Sequence, residues 1–126
     1  MSLVAKQWQF MKDLKKLIDY IEKQGWIVTG GELWRHPHMQ EYYVKTGRSK
    51  TMHSQHLKRL AIDLNFFRPA KEGEKPTVVI EGAPYVLTWR AEEIEPFGQF
   101  WESLSTSNRW GGHFKTFKDV PHFEKD

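Results

Sequence analysis

Ala61-Ile62-Asp63-Leu64-Asn65-Phe66-Phe67 alternates along its length: Ile62, Leu64 and Phe66 fall on one side of an extended chain, and Ala61, Asp63 and Asn65 on the other. This period of two predicts a β-strand with one face in a core and a polar, half-exposed face opposite. Upstream, Arg48 to Gln55 is polar without period and reads as a loop. Downstream, Arg68 to Thr77 is a charged loop with proline and glycine, and two short strands follow, Val78–Ile80 and Tyr85–Thr88, about a Glu81-Gly82-Ala83-Pro84 turn, as in a hairpin insertion.

Further out, the period changes from two to three and four. Val4, Trp8, Met11, Leu14, Leu17, Ile18 and Ile21 recur at helical spacing with Lys12, Asp13, Lys15, Lys16 and Glu22 between them, which predicts an amphipathic packing helix closing near Gly25. Trp26–Thr29 reads as a short strand interrupted at Gly30 and Gly31, and a second helix is expected from Pro37 to before Gly47. A third helix covers Glu92 to Ser105, with Pro96 as an alternative start and Ile94, Phe97, Phe100, Trp101 and Leu104 on its inner side. The tail from Trp110 is aromatic and glycine-containing and ends in a strand near His122 to Lys125. No internal repeat interrupts this order.

A chain of 126 residues allows one domain, taken as 1–126, and 39% hydrophobic with 14% aromatic residues can fill one core. The absence of cysteine excludes a disulfide framework, a cysteine zinc finger, an iron–sulfur cluster and a thiol nucleophile, so any metal site must use His, Asp or Glu. Lys and Arg outnumber Asp and Glu by 19 to 16; the excess suits a polyanionic surface and is too mild to argue for nucleic acid. Met1 to Gln7 contains no apolar signal core and no run approaches the ~20 residues of a membrane span. A chain that is cytosolic when made, with neither membrane nor nucleic acid as partner, is expected.

Six histidines, His36, His38, His53, His56, His113 and His122, are the available nitrogen ligands. His56 and Asp63 are seven apart, about 10 Å along a helix or about 23 Å along a strand, so they reach one ion only if the chain turns between them. Leu57-Lys58-Arg59-Leu60 is where it could turn; otherwise His56 is a loop histidine and Asp63 a half-exposed strand residue. Asp119-Val120-Pro121-His122 is a second candidate, because Pro121 pushes Val120 toward an extended conformation that could set one side chain on a metal and the other beside its water. A polar turn is the alternative. His36 and His38 flank Pro37 as helix-start residues, His53 is a possible neighbour of the site, and Arg35 after Trp34 offers anion binding or a surface ion pair.

Together, Ser54-Gln55-His56, Ala61-Ile62-Asp63-Leu64, Trp110-Gly111-Gly112 and Asp119-Val120-Pro121-His122-Phe123-Glu124 resemble the zinc-dependent D-alanyl-D-alanine carboxypeptidase and L-alanyl-D-glutamate endopeptidase family. That family includes VanY-type carboxypeptidases and many phage endolysins, and it shares its fold with the signalling domain of Hedgehog proteins. The resemblance runs from about Gly30 to Glu124. It implies that His56, Asp63 and His122 bind Zn²⁺, that Asp119 is the catalytic carboxylate, and that Arg35, beside Glu32 and Trp34, binds substrate. Ser54 and Trp110 are implied as further substrate contacts. Two departures stand out: the glycine of the pattern Ser-x-His-x-x-Gly-x-Ala-x-Asp is Arg59 here, and the residue after Trp-Gly-Gly, often Asp or Asn, is His113, a fourth histidine near the metal.

The implied chemistry is consistent: two neutral imidazoles and one carboxylate leave positive charge on the ion, which acidifies its water toward ~7, and Asp119 carries the proton to the leaving amine. Arg35 is the further candidate for stabilising an oxyanion. The expected fold is α+β: a small antiparallel sheet holds the zinc ligands on one face while the N-terminal and Glu92–Ser105 helices cover the other. The expected function is hydrolysis of an amide in peptidoglycan stem peptides by a monomer. An L-alanyl-D-glutamate endopeptidase acting as a phage or prophage endolysin, reaching the wall from the host cytoplasm after release, is favoured over a D-alanyl-D-alanine carboxypeptidase. The rivals from other classes are a non-catalytic zinc-binding interaction domain and, more weakly, a nucleic-acid module.

Overall fold

The structure is a computed structural model that describes residues 2–31, 33, 37–47 and 54–126. Helix α1 (Leu3–Lys23) begins at Ser2, whose hydroxyl accepts the Ala5 amide at 3.1 Å. It ends in a left-handed Gly25 (φ 82°), where the Gly25 amide donates to the Glu22 carbonyl (3.0 Å) and the Trp26 amide to that of Ile21 (3.3 Å). These two bonds close the helix and turn the chain into the sheet. Strand β1 (Ile27–Gly30), α2 (Pro37–Lys45) and a 3-10 turn (Gln55–Lys58) lead to the central strand β2 (Ala61–Pro69). Then follow β3 (Val78–Ile80), β4 (Ala83–Thr88), α3 (Ala91–Ser103), β5 (Asn108–Trp110), a second 3-10 turn (Gly111–His113) and β6 (His122–Lys125).

The sheet is antiparallel throughout, in the order β3-β4-β2-β6-β5, with β1 also pairing with β2. The expected alternation holds in β2: Ile62, Leu64 and Phe66 are buried and Asp63, Asn65 and Phe67 are less so. The Phe66 ring stacks on Phe97 of α3 at 5.5 Å and meets Phe123 of β6 at 5.8 Å. Trp101 of α3 meets Phe123 edge-on at 6.1 Å and Phe10 of α1 at 5.5 Å. Each fully buried aromatic here contributes about 1.5–3 kcal/mol by leaving water. Both helices therefore lock one face of the sheet, and Asp63 and His122, directly opposed across β2 and β6, share the other.

Two expectations change, and one strand was not foreseen. Val4, Trp8 and Met11 are exposed, while Phe10, Leu14, Leu17 and Ile21 are buried. Trp8 and Phe10 are two residues apart, about 200° around a helix, so a series that joined Val4, Trp8 and Met11 to Leu14 and Leu17 ran across two faces. Pro96 lies inside α3 instead of starting it. The start is at Ala91, where the Thr88 hydroxyl accepts the Arg90 amide (3.2 Å) and donates to Glu93 (2.5 Å), and Glu92 and Glu93 oppose the helix dipole. Strand β5 had no expectation, since three residues carry no readable period and its partner β6 lies far along the chain.

Candidate active site

The chain does turn between His56 and Asp63. Ser54 caps the 3-10 turn by accepting the His56 amide (3.2 Å), and the Leu60 amide returns to the Gln55 carbonyl (3.0 Å). Arg59 closes the turn in the left-handed region, φ 56° and ψ 39°. This is the position at which the family pattern carries glycine: the backbone keeps the geometry and the arginine bears its cost. The Gln55 side chain donates to the Lys125 carbonyl (2.8 Å), which ties the turn to β6. Arg59→Val places β-branching at a positive φ and is expected to lower stability by about 1–2 kcal/mol, with Arg59→Gly costing less. Thermal unfolding of the two variants is the check; equal midpoints would mean that the turn does not depend on this residue being left-handed.

His56, Asp63 and His122 each offer one ligand atom within 4.8 Å of the others. Asp63 Oδ1 lies 3.4 Å from His56 Nε2 and 3.4 Å from His122 Nδ1. Two ligands each ~2.0–2.1 Å from a tetrahedral ion stand about 3.3 Å apart, so these separations fit zinc. The hydrogen bonds select the ring nitrogens. His56 Nδ1 donates to the Leu33 carbonyl (3.0 Å), which leaves the lone pair on buried Nε2, an atom with no hydrogen bond among the described residues. His122 Nε2 donates to Glu124 Oε1 (2.7 Å), which turns Nδ1 toward Asp63. Glu124 is thus the carboxylate behind the ligand, and its signal was present in the sequence: a residue two beyond His122 on a strand shares its face.

The electrostatics match a site built for a cation. Burial raises the Asp63 carboxyl, but the His122 and His56 imidazoles, each 3.4 Å from it, outweigh that and hold the group well below the usual carboxylate range. Burial likewise lowers the His122 imidazole, and Asp63 and Glu124 outweigh it, pushing the group up to about 9. A metal ion held by His56, Asp63 and His122 would take the place of the proton on His122.

Asp119 stands at the edge of this cluster, its side chain 41% exposed and Oδ2 3.9 Å from His122 Nδ1. Its segment is held from beneath. The Asp119 amide donates to the Gly111 carbonyl (3.0 Å), and a β-carbon on Gly111 would come within 2.0 Å of the Asp119 carbonyl, so only glycine admits this approach. Trp110, expected to touch substrate, is fully buried, and its indole N–H donates to the Val120 carbonyl (2.7 Å). A side chain enclosed in this way supports the Asp119–His122 segment and has no face left for a ligand.

His113 does not join the cluster. Its Nδ1 meets Glu102 (2.7 Å) and its Nε2 meets Glu95, both on α3, while Glu102 also accepts the Trp110 amide (3.0 Å). Burial lowers the imidazole, and Glu102 and Glu95 outweigh it and raise it. A raised folded value stabilises fully below the ordinary value of about 6.5 and is lost as pH rises through the raised one. The midpoint difference between the parent and His113→Gln is therefore expected to be largest at about pH 5–6 and to shrink above neutrality; thermal scans against pH measure it, and a flat difference would refute the clamp. His38 lies exposed on α2. Arg35, Glu32, Trp34, His36 and His53 lie outside the described residues.

None of the curated proteins matches the sequence significantly. Among solved structures the chain is similar to the L-Ala D-Glu endopeptidase ChiX of Serratia marcescens, with 24% identity and a TM-score of 0.56 over 79% of this chain. It spans 66% of that protein's length, and likeness at this level shows a common fold. Residues 47–125 match the family model described as D-alanyl-D-alanine carboxypeptidase. His56, Asp63, Asp119 and His122 all fall within the matched segment, which is well over half of the sequence. The chain belongs to the peptidase M15 family of zinc metallopeptidases.

Proposed function

We propose that the chain is a zinc-dependent L-alanyl-D-glutamate endopeptidase that cuts peptidoglycan stem peptides, acting as a monomeric single-domain phage or prophage endolysin on the wall after release from the host cytoplasm. The observation that carries the hydrolytic reading is the juxtaposition of His56 Nε2, Asp63 Oδ1 and His122 Nδ1 with the exposed carboxylate of Asp119 beside them. A purely structural metal site has no use for that carboxylate. The activity of the Serratia protein supports the endopeptidase branch, and the D-alanyl-D-alanine carboxypeptidase activity of the family supports the second reading. No helix among the described residues is long and apolar enough to cross a membrane.

His56, Asp63 and His122 would hold the ion, which when bound supplies Lewis acidity at the scissile carbonyl and lowers the pKa of a water. Asp119 takes a proton from the attacking water and returns it to the departing amine nitrogen as the C–N bond breaks. Glu124 and the Leu33 carbonyl keep the two imidazoles oriented so that no rotation is needed during turnover. Arg35 is proposed, on the resemblance, to bind a substrate carboxylate, and Ser54 to contribute near the first ligand.

Mass spectrometry of defined stem peptides incubated with the zinc-loaded protein, with a chelated control, tests this function. A new D-Glu amino terminus that chelation abolishes is the expected product, including from peptides blocked at the C-terminus. Release of terminal D-Ala from unblocked peptides alone would move the chain to the carboxypeptidase branch. A folded, zinc-replete sample that cuts none of several wall chemistries would overturn the enzymatic reading in favour of a zinc-binding interaction domain.

A further inference from the structure

The first three turns of α1 expose an apolar stripe that none of the described residues covers. Val4 (73% exposed), Trp8 (66%) and Met11 (51%) lie at i, i+4 and i+7, with Leu3 (48%) at the same end of the helix. Single exposed apolar residues are ordinary on a protein surface, whereas a continuous stripe of them marks a contact surface. The surrounding charge has one sign. Lys12, Lys15 and Lys16 are exposed, Lys6 is half-buried, and the Lys12 ammonium sits 4.0 Å from the Trp8 ring centroid. The acid within this stretch, Asp13, is buried and paired with Lys125 at 3.0 Å, so the first exposed carboxylate of the helix is Asp19.

We propose that this face of α1 docks on an anionic lipid bilayer, lying in the interface with Val4, Trp8 and Met11 toward the acyl region and the lysines on the phosphates. Charge complementarity selects this occupant. A second copy packed with its α1 parallel to this one across a two-fold axis would set Lys12, Lys15 and Lys16 against the same lysines, and an antiparallel pair would leave those lysines without an anionic partner. A glycan would find Trp8 to stack on, but Val4 and Met11 offer its hydroxyls no hydrogen bond. A bilayer with anionic headgroups answers both the apolar stripe and the lysines, and an amphipathic helix with tryptophan and lysine is suited to that boundary. The same end of α1 is tied to the site, because Gln7 Nε2 donates to the Lys58 carbonyl (2.8 Å) in the turn that carries His56. Docking through α1 therefore anchors the element next to the metal ligands.

The test is co-sedimentation of the whole chain with vesicles of phosphatidylglycerol and phosphatidylethanolamine, against vesicles of phosphatidylcholine alone, across a salt series. The expected result is binding to the anionic vesicles that weakens with salt and shifts tryptophan emission to the blue. Val4→Ser combined with Trp8→Ser, and separately Lys12→Glu with Lys15→Glu, are each expected to lower that binding by about tenfold or more. Circular dichroism and thermal midpoint should be unchanged, because these side chains are exposed. No pelleting, or equal pelleting of parent and variants, would overturn the proposal. So would a concentration-dependent dimer that Trp8→Ser dissolves, or retention on purified wall polymer without retention on vesicles. Binding is read without catalysis, so its failure is separate from a failure to cleave peptides.

Discussion

Asp119→Ala is expected to lower the rate of stem-peptide cleavage by about 10²–10⁴-fold while leaving one metal ion bound per chain. A positioned proton-transfer group is worth that range, and nothing else among the described residues at the edge of the cluster offers an exposed carboxylate at 3.9 Å from a ligand nitrogen. Asp119 is outside the His56, Asp63 and His122 group, so its removal leaves the three ligand atoms in place. Metal content by elemental mass spectrometry and kcat on a defined peptide are measured on the same sample. Asp119→Asn keeps the shape and the polarity and should be nearly as slow, because an amide cannot accept the proton. Retained activity would remove the base assignment, and lost metal would make Asp119 a ligand.

The second large effect concerns the fold. Asp13→Ala is expected to cost about 3–5 kcal/mol, which for a chain of this length moves the midpoint by roughly 10–20 °C. Asp13 Oδ2 receives the Lys125 ammonium (3.0 Å) and the Asn108 amide (3.1 Å), and Oδ1 receives the Gln9 amide (3.1 Å). Both charged groups are buried, and among the described residues the Lys125 ammonium makes one further contact, a long one to Ser107 (3.3 Å). Removing the carboxylate leaves that ammonium out of water with no counter-charge, which is the expensive way to break a buried pair. Because Lys125 ends the strand that begins with His122, the loss also loosens the site, and metal affinity should fall with stability. Asp13→Leu with Lys125→Met is expected to recover most of the midpoint. A cost below about 1 kcal/mol for Asp13→Ala would show that the pair is solvated in solution.

Much of this site was legible before any coordinates. The period of two in Ala61–Phe67 placed Asp63 on the open face of a strand, and the resemblance carried by four short blocks placed His56, His122 and Asp119 beside it. Spacing alone left His56 and Asp63 undecided, because seven residues join them only if the chain folds back. Arg59 in the left-handed region supplies that fold-back, at a position where a glycine would have announced the turn and an arginine conceals it. Trp110 was misplaced for a related reason. An aromatic before two glycines reads equally well as a ligand platform or as a core residue, and the hydrogen bond to Val120 that settles its direction joins residues ten apart.

The sequence by itself determined the helices, every strand but β5, and the ligand types. Helical period, strand alternation and the absence of cysteine are local or compositional, and each acts through the chain's own geometry. Only the tertiary structure decided which nitrogen of each histidine faces the cluster, because Leu33 and Glu124 make that choice from other segments. It also decided which apolar face of α1 is buried. A helix with two apolar stripes is indifferent to which one packs until the sheet and α3 offer Phe66, Phe97 and Trp101 as partners, and the stripe carrying Phe10, Leu14, Leu17 and Ile21 meets them while Val4, Trp8 and Met11 remain in water.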